Sequence, residues 1–209
     1  MDKDGFKFFI PPLLVSAILY VWFLNSNSFI LLYLAFALFV LSLLLLLFFR
    51  DPERKIPEGD DIIVSPVDGK VINTEENPGH GKKLSIFLSI FDVHINRMPI
   101  SGKVVDIRKK RGAYLPAYKE KAEKENSAIE TDVQTPYGLV TVRQVVGILA
   151  RRLVNRLNIG DEVVKGQRFG LMRFGSRLDL ILPENTRLQT SSGRRVRGGS
   201  QVIGRFTGA

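Results

Sequence analysis

The sequence predicts a mainly β domain, a barrel or sandwich of short strands, carried behind an N-terminal transmembrane helical hairpin. Three observations lead there. The first fifty residues hold two uncharged apolar runs with a polar break between them. From Asp60 onward the chain changes to short β-branched runs separated by glycine and proline. Turn residues of the kind that join antiparallel strands recur between those runs.

The apolar runs are Phe8–Leu24 and Phe29–Phe49, with Asn25-Ser26-Asn27-Ser28 between them. A membrane span needs roughly 20 apolar residues, with about 17 as the lower limit. The second run exceeds that length and the first just reaches it. Pro11-Pro12 is expected to mark the helical start of the first, where a missing N–H does no harm. The stretch is too long for a cleaved signal peptide, and no small-residue cleavage site follows it. A helix that is apolar all round belongs in lipid or in a large core. Lys3 and Lys7 precede the pair and Arg50, Arg54 and Lys55 follow it, whereas the connecting turn is uncharged. Positive charge favours the cytoplasmic side, so both ends are expected there. The expected division is a membrane anchor over residues 1–50 and a cytoplasmic domain over 51–209, held at the inner leaflet of the cell membrane. The net charge of +9 is then assigned to lipid headgroups rather than to nucleic acid.

In the body of the chain, Ile62–Val64, Lys70–Ile72, Leu84–Leu88, Lys103–Ile107 and Gly138–Val142 read as strands. Glu162–Val164, Arg168–Met172 and Leu178–Leu182 continue the set, and short extended segments flank Gly198-Gly199-Ser200. Pro116–Asn126 is charged and fits a short helix or an exposed loop. Val145–Leu157 fits an amphipathic helix about as well as a strand. Two turns, Ser65–Val71 and Gly160–Gln167, resemble the paired hairpins of lipoyl- and biotinyl-type β-sandwiches. That resemblance concerns fold, not chemistry, and no Met-Lys-Met attachment site is present.

Chemically capable residues are few. The absence of cysteine excludes disulfides, thiolate zinc sites, iron–sulfur clusters and cysteine nucleophiles. Two histidines, His80 and His94, are too few for a multi-histidine metal site, and no metal is expected. There is no Gly-x-Gly-x-x-Gly or Walker loop to hold a nucleotide. His80 lies in a glycine- and proline-rich loop and reads as solvated. Asp68, in its Pro-x-Asp-Gly turn, reads first as a turn former that caps its own backbone. A Gly-Gly-Ser triplet is most often a tight turn. Ser200, His94 and Asp68 nevertheless complete the inventory of a Ser-His-Asp triad, an arrangement recognised by geometry.

Four motifs in order narrow the reading: Ser65-Pro66-Val67-Asp68-Gly69, Asp92-Val93-His94-Ile95-Asn96-Arg97-Met98-Pro99, Arg173-Phe174-Gly175-Ser176-Arg177 and Gly198-Gly199-Ser200. With them the chain resembles a short-form phosphatidylserine decarboxylase, a self-cleaving pyruvoyl enzyme; archaetidylserine decarboxylases share the pattern. The resemblance implies that the Ser200 hydroxyl attacks the Gly199 carbonyl, with His94 as base and Asp68 orienting or charging the imidazole. The peptide bond becomes an ester, elimination leaves dehydroalanine, and hydrolysis leaves a pyruvoyl group on a short chain 200–209, paired with a long chain 1–199. The implied cofactor is that pyruvoyl group, whose ketone forms a Schiff base with the serine amine of the phospholipid and accepts electrons as CO2 leaves. His94 is also implied as the proton donor to the product. Arg173, Arg177 and Arg197 are candidates for the lipid phosphate. The implied partners are a serine phospholipid and the membrane, with a homo-oligomer compatible and nucleic acid not.

One departure stands out. Long-form members read His-x-x-His-Met-Pro, with the second histidine implicated in self-cleavage, and this chain has Arg97 at that place. Two other readings fit parts of the sequence. A non-enzymatic membrane adaptor accounts for the hairpin and the sandwich turns, but not for the late Gly-Gly-Ser. A serine hydrolase uses the same three residues, but lacks a Gly-x-Ser-x-Gly elbow.

Overall fold

The computed structural model describes residues 3–77, 81–148, 153–172 and 175–207. His80 and Arg173 lie outside the described residues. The chain divides into two compact units, Met1–Pro52 and Glu53–Ala209.

The first unit is a helical hairpin of α1 (Lys3–Ser26) and α2 (Phe29–Phe48), both long and apolar enough to cross a membrane. Helix α1 begins well before Pro11-Pro12, so the prolines are interior and do not start it. They remove the bonds that their N–H groups would give to the carbonyls of Lys7 and Phe8, and the turns on either side carry the helix through. Asn27, in the connecting turn, sits at φ 52°, a region that asparagine tolerates better than most residues. The helices meet where side chains are small: buried Ser16 donates its hydroxyl to the Ala35 carbonyl at 2.7 Å. Large residues such as Trp22, Phe36 and Leu44 face outward.

The second unit is mainly β. In chain order it contains β1 (Ile62–Val64), β2 (Gly69–Asn77), β3 (Gly81–Leu88), β4 (Ile95–Arg97), β5 (Gly102–Lys110), a short helix α3 (Glu120–Glu125), β6 (Ala128–Thr135) and β7 (Gly138–Val145). It continues with β8 (Leu153–Asn155), β9 (Glu162–Val163), β10 (Arg168–Met172), β11 (Ser176–Leu182), β12 (Thr186–Leu188), β13 (Arg195–Val196) and β14 (Val202–Phe206). Among the described residues the strands form an eight-stranded sheet, β13-β2-β3-β11-β7-β6-β5-β9, and two three-stranded sheets, β1-β14-β12 and β4-β10-β8. Every paired strand is antiparallel. Bulges at Ile72 in β2 and Val105 in β5 add a residue opposite their partners, which increases twist and curls the large sheet. Period-2 alternation sends Leu84, Ile86, Leu88, Leu178, Leu180 and Leu182 into one fully buried core with Ile63, Met98 and Phe169.

The structure decides between the two readings of one stretch and adds a strand that the sequence pattern hides. The residues of Val145–Leu157 that are described are strand at both ends, in β7 and β8, and not helix. Pairing of β8 with β10 satisfies its backbone there. Strand β6, whose Glu130, Thr131 and Asp132 hide any apolar run, is fixed by full-length pairing with β7. The turn between them is pinned by Thr135, whose hydroxyl donates to the Gly138 carbonyl at 2.7 Å and accepts from the Tyr137 N–H.

The face of the large sheet away from that core is polar. Buried Arg177 donates to Asp179, to the Ser85 hydroxyl at 2.8 Å and to Glu123 of α3 at 3.0 Å. Lys83 bonds the other oxygen of Glu123. Burial pushes the Glu123 carboxyl up, but Lys83 and Arg177 outweigh that and hold it below the ordinary carboxylate value. A depressed pKa means that the stabilisation is present above the unfolded value, about 4.3, and is lost as pH falls through the folded value. Hydrogen exchange over residues 113–127 should therefore show protection that falls away below about pH 4. Glu123→Gln should show weaker protection that is flat with pH; equal protection in both proteins at pH 7 would show that the ion pair does not hold α3.

Candidate active site

The site is a tight turn over Arg197–Gln201. The Arg197 carbonyl accepts the N–H of Ser200 at 3.4 Å and of Gln201 at 3.1 Å, and the Gln201 side chain accepts the Arg197 N–H at 3.2 Å. Strands β13 and β14 lead into and out of it, so the turn is held from both ends. Space is tight at both glycines. A Cβ on Gly198 would lie 3.0 Å from the Val67 backbone, and one on Gly199 would lie 2.7 Å from Cδ of Arg97. Gly199 also sits at φ +77°, a conformation that L side chains resist by about 1–2 kcal/mol.

The Ser65–Gly69 turn packs directly on this one. The Gly199 N–H donates to the Ser65 carbonyl at 2.7 Å, and the Ser65 N–H donates to the Gln201 carbonyl at 2.8 Å. The Gly198 N–H donates to Oδ1 of Asp68 at 2.7 Å. Arg54 grips both oxygens of that carboxylate, at 3.1 and 2.8 Å. Both contacts come from one guanidinium nitrogen, Nη2, a charge-assisted pairing that holds the carboxylate in place. Asp68 thus does more than cap its own turn: it reaches the peptide two bonds upstream of Ser200.

The second hairpin turn meets the same place from the other side. The Arg97 N–H donates to the Pro66 carbonyl at 2.8 Å, while Met98 exchanges backbone bonds with Gln167 and Gly166, each at 2.8 Å. The end of β4 is therefore clamped between the two related turns. The Arg97 side chain, 6% exposed, lies against Gly199 and donates to the Gly166 carbonyl at 3.2 Å.

Among the motif residues, the side chains of Asp68 and Arg97 and the backbones of Ser65 and Val67 touch the Gly198–Ser200 turn. His94 is fully buried at the other end of β4, three residues before Arg97, or about 10 Å along a strand. Its carbonyl accepts from Met172 N–H and from the Asn96 amide, each at 3.2 Å. Arg197 is exposed beside the turn. Arg177 lies elsewhere, at a cavity of about 640 Å³ bordered by Lys83, Lys121 and Lys124, with its guanidinium on Asp179, Ser85 and Glu123. Among the described residues no group of histidine, aspartate and glutamate side chains is gathered to hold a metal ion.

Sequence reasoning did not find Arg54, which reads there only as a charge after the second helix. Its partner Asp68 is fourteen residues away, and no periodic pattern connects them. Arg97 reads in the sequence only as a departure from the long-form pattern; the available signal is a positive charge between Ile95 and Met98-Pro99.

A glycine turn with a serine after it, a carboxylate on the preceding peptide and a cation on the glycine can favour attack of a hydroxyl on its neighbouring carbonyl. Comparison with known proteins agrees with that arrangement. The family model described as phosphatidylserine decarboxylase matches residues 41–204. The phosphatidylserine decarboxylase proenzyme of Syntrophus aciditrophicus is 39% identical over 212 residues, covering 98% of this chain and 96% of the relative. That of Carboxydothermus hydrogenoformans is 41% identical over 183 residues, covering 84% and 86%. A Methanosarcina mazei protein named as a candidate archaetidylserine decarboxylase proenzyme is 41% identical over 171 residues, covering 82% and 79%.

Proposed function

The chain belongs to the phosphatidylserine decarboxylase family of carboxy-lyases, and from that membership we propose how its own residues perform the reaction. The chain cuts itself between Gly199 and Ser200, then converts phosphatidylserine to phosphatidylethanolamine and CO2. The observation that carries this reading is the Gly198-Gly199-Ser200 turn, with Asp68 on the Gly198 N–H, little space at either glycine and Gly199 at positive φ.

The Ser200 hydroxyl adds to the carbonyl carbon of Gly199 and gives its proton to a base, a role that falls to His94. The C–N bond breaks, the amide nitrogen takes a proton, and an ester joins the two residues. Removal of the Ser200 α-proton then breaks the Cβ–Oγ bond, so that Gly199 leaves as a carboxylate and the new terminus becomes dehydroalanine. Water converts this to a ketone and ammonia. Asp68, held by Arg54, fixes the Gly198 peptide through these steps and supplies the negative charge that a protonated imidazole needs. The strained, side-chain-free turn supports the fit of a pyruvoyl group at residue 200.

That group supplies an electron-accepting carbonyl conjugated to an amide, which twenty ordinary side chains do not contain. His94 returns a proton to the substrate carbon. Among the three arginines, Arg197 is best suited to the lipid phosphate, since it is exposed beside the turn; the Arg177 guanidinium is engaged by two carboxylates. Helices α1 and α2 anchor the domain in the membrane, with both ends on the cytoplasmic side. The Methanosarcina relative favours one further reading, in which the serine lipid is archaetidylserine.

The test is CO2 release by detergent-extracted protein from vesicles of phosphatidylserine or of archaetidylserine, alongside its intact mass. Two chains, 1–199 and a blocked 200–209, with CO2 from the first lipid support the reading. Release from the second alone reassigns the substrate, and an unsplit, inert chain sinks the proposal.

A further inference from the structure

We propose that a rim of exposed apolar side chains on the second unit, Ile90, Phe91, Tyr114, Tyr118 and Ile148, docks on an anionic lipid leaflet. The inference rests on the reading of α1 and α2 as a membrane anchor, to which it adds a second contact. It is independent of self-cleavage.

Strand pairing brings the five together. Leu88, the last residue of β3, is opposite Ser176, the first of β11, and Val145, the last of β7, is opposite Arg177. The chain therefore leaves β3 and β7 at one end of the large sheet, with Ile90 and Phe91 following the first strand and Ile148 the second. Segment 113–118 is fixed at the same end. The Asn126 side-chain amide donates to the carbonyls of Leu115 and Val146, each at 2.8 Å, and the Tyr118 ring meets Phe87 of β3 edge-on at 6.0 Å. The five side chains are 46% to 78% exposed. Among the described residues, every exposed aromatic side chain of this unit is on the rim.

A loop tip ordinarily carries small polar residues, whereas this one presents isoleucine and phenylalanine and turns its polar groups inward. Oδ2 of Asp92 accepts the Ser89 N–H and hydroxyl, each at 2.8 Å, while Arg195 donates to Oδ1 at 3.0 Å. Polar groups bonded within the protein can approach lipid without losing partners. A cluster of exposed apolar side chains edged by charge marks an interaction surface, and aromatic rings favour the headgroup level of a bilayer. The adjoining charge selects the lipid. Segment 108–125 has seven lysines and arginines against three glutamates, of which Glu123 is engaged by Lys83 and Arg177. Lys119, Lys121 and Lys124 are exposed, and basic side chains beside an apolar surface draw it to anionic headgroups. The Ile90-Phe91 loop runs on into His94, so docking holds that end of the fold where a serine phospholipid presents its headgroup.

The experiment uses the full chain in nanodiscs of phosphatidylglycerol mixed with phosphatidylcholine brominated on its acyl chains, because bromine quenches tryptophan only at close contact. The chain has one tryptophan, Trp22 in α1, whose quenching sets the scale for insertion. In Trp22→Phe protein, Phe91→Trp and Tyr118→Trp should each be quenched as well. Leu139→Trp, exposed at the opposite end of β7, should keep its emission. Exchanging phosphatidylglycerol for unbrominated phosphatidylcholine should weaken quenching at the rim and leave that of Trp22 unchanged. Rim positions that stay bright overturn the inference, as does equal quenching at all three substituted positions. Emission that is blue-shifted but unquenched shows a rim covered by a second copy and overturns it too. Rim quenching that is the same without the anionic lipid overturns the part given to charge. An unquenched Trp22 removes the anchor and this inference with it. Intact mass of the same samples reports splitting, so failure of docking and failure of self-cleavage are read separately.

Discussion

Replacing Ser200 with alanine should leave one 209-residue species and reduce CO2 release from phosphatidylserine to background. The substitution removes a single oxygen. In the proposed mechanism that oxygen is at once the nucleophile, the bridging atom of the ester and the atom expelled from Cβ, so no partial pathway survives it. Loss of a serine nucleophile lowers rates on the order of 10⁶-fold in enzymes where it has been removed. The fold should be untouched, because the turn is held by backbone bonds from Arg197, Ser65 and Gln201 and by the Asp68 carboxylate. Ser200→Thr sharpens the test. It keeps the hydroxyl but adds a methyl beside a crowded glycine turn, so it should split slowly and leave a short chain one methylene heavier. A Ser200→Ala protein that still splits at Gly199 would remove the serine from the mechanism.

The second large effect is expected at Asp68. Asp68→Asn keeps the size and one acceptor oxygen for the Gly198 N–H, yet loses the charge that meets Arg54 and supports the base. General acid–base assistance is worth roughly 10²–10⁴-fold, so splitting of the precursor should slow by at least about 100-fold. Asp68→Ala should slow it further, since it also strands a backbone donor and leaves the Arg54 guanidinium, 14% exposed, without its carboxylate. Arg54→Met should fall between the wild type and Asp68→Asn, because the carboxylate stays but loses the cation that holds it. The order of the three rates is the content of the prediction. An Arg54 variant that splits as fast as the wild type would show that Asp68 positions itself unaided.

Much of this was legible in the chain. The two apolar helices are encoded by uninterrupted runs, which no polar periodicity can disguise. The strands with a buried face were legible for a similar reason: Arg168–Met172 is found at its predicted bounds, and Leu178–Leu182 lies wholly inside β11. Leucines alternating with polar residues, or unbroken apolar stretches, carry their own signal. Gly198-Gly199-Ser200 was legible as a tight turn because glycine tolerates backbone that other residues avoid. What was not legible lay where local pattern and final environment part company. Strand β6 carries Glu130 and Asp132 because its outward face is covered by ion pairs with Arg143 and Arg108. Pro11-Pro12 looked like a helix start because proline acts on its own turn, whereas the helix is set by the apolar stretch on both sides.

The sequence alone determined the apolar helices, the strands with a buried face and the place of the Gly198-Gly199-Ser200 turn, since hydropathy, periodicity and glycine spacing are local properties. Only the tertiary structure decided which groups meet that turn. Arg54 reaches Asp68, Asp68 reaches Gly198, and Arg97 reaches Gly199, over separations of 14, 130 and 102 residues. Side-chain contacts of that kind follow from the packing of one hairpin against another, and chain order holds no record of it.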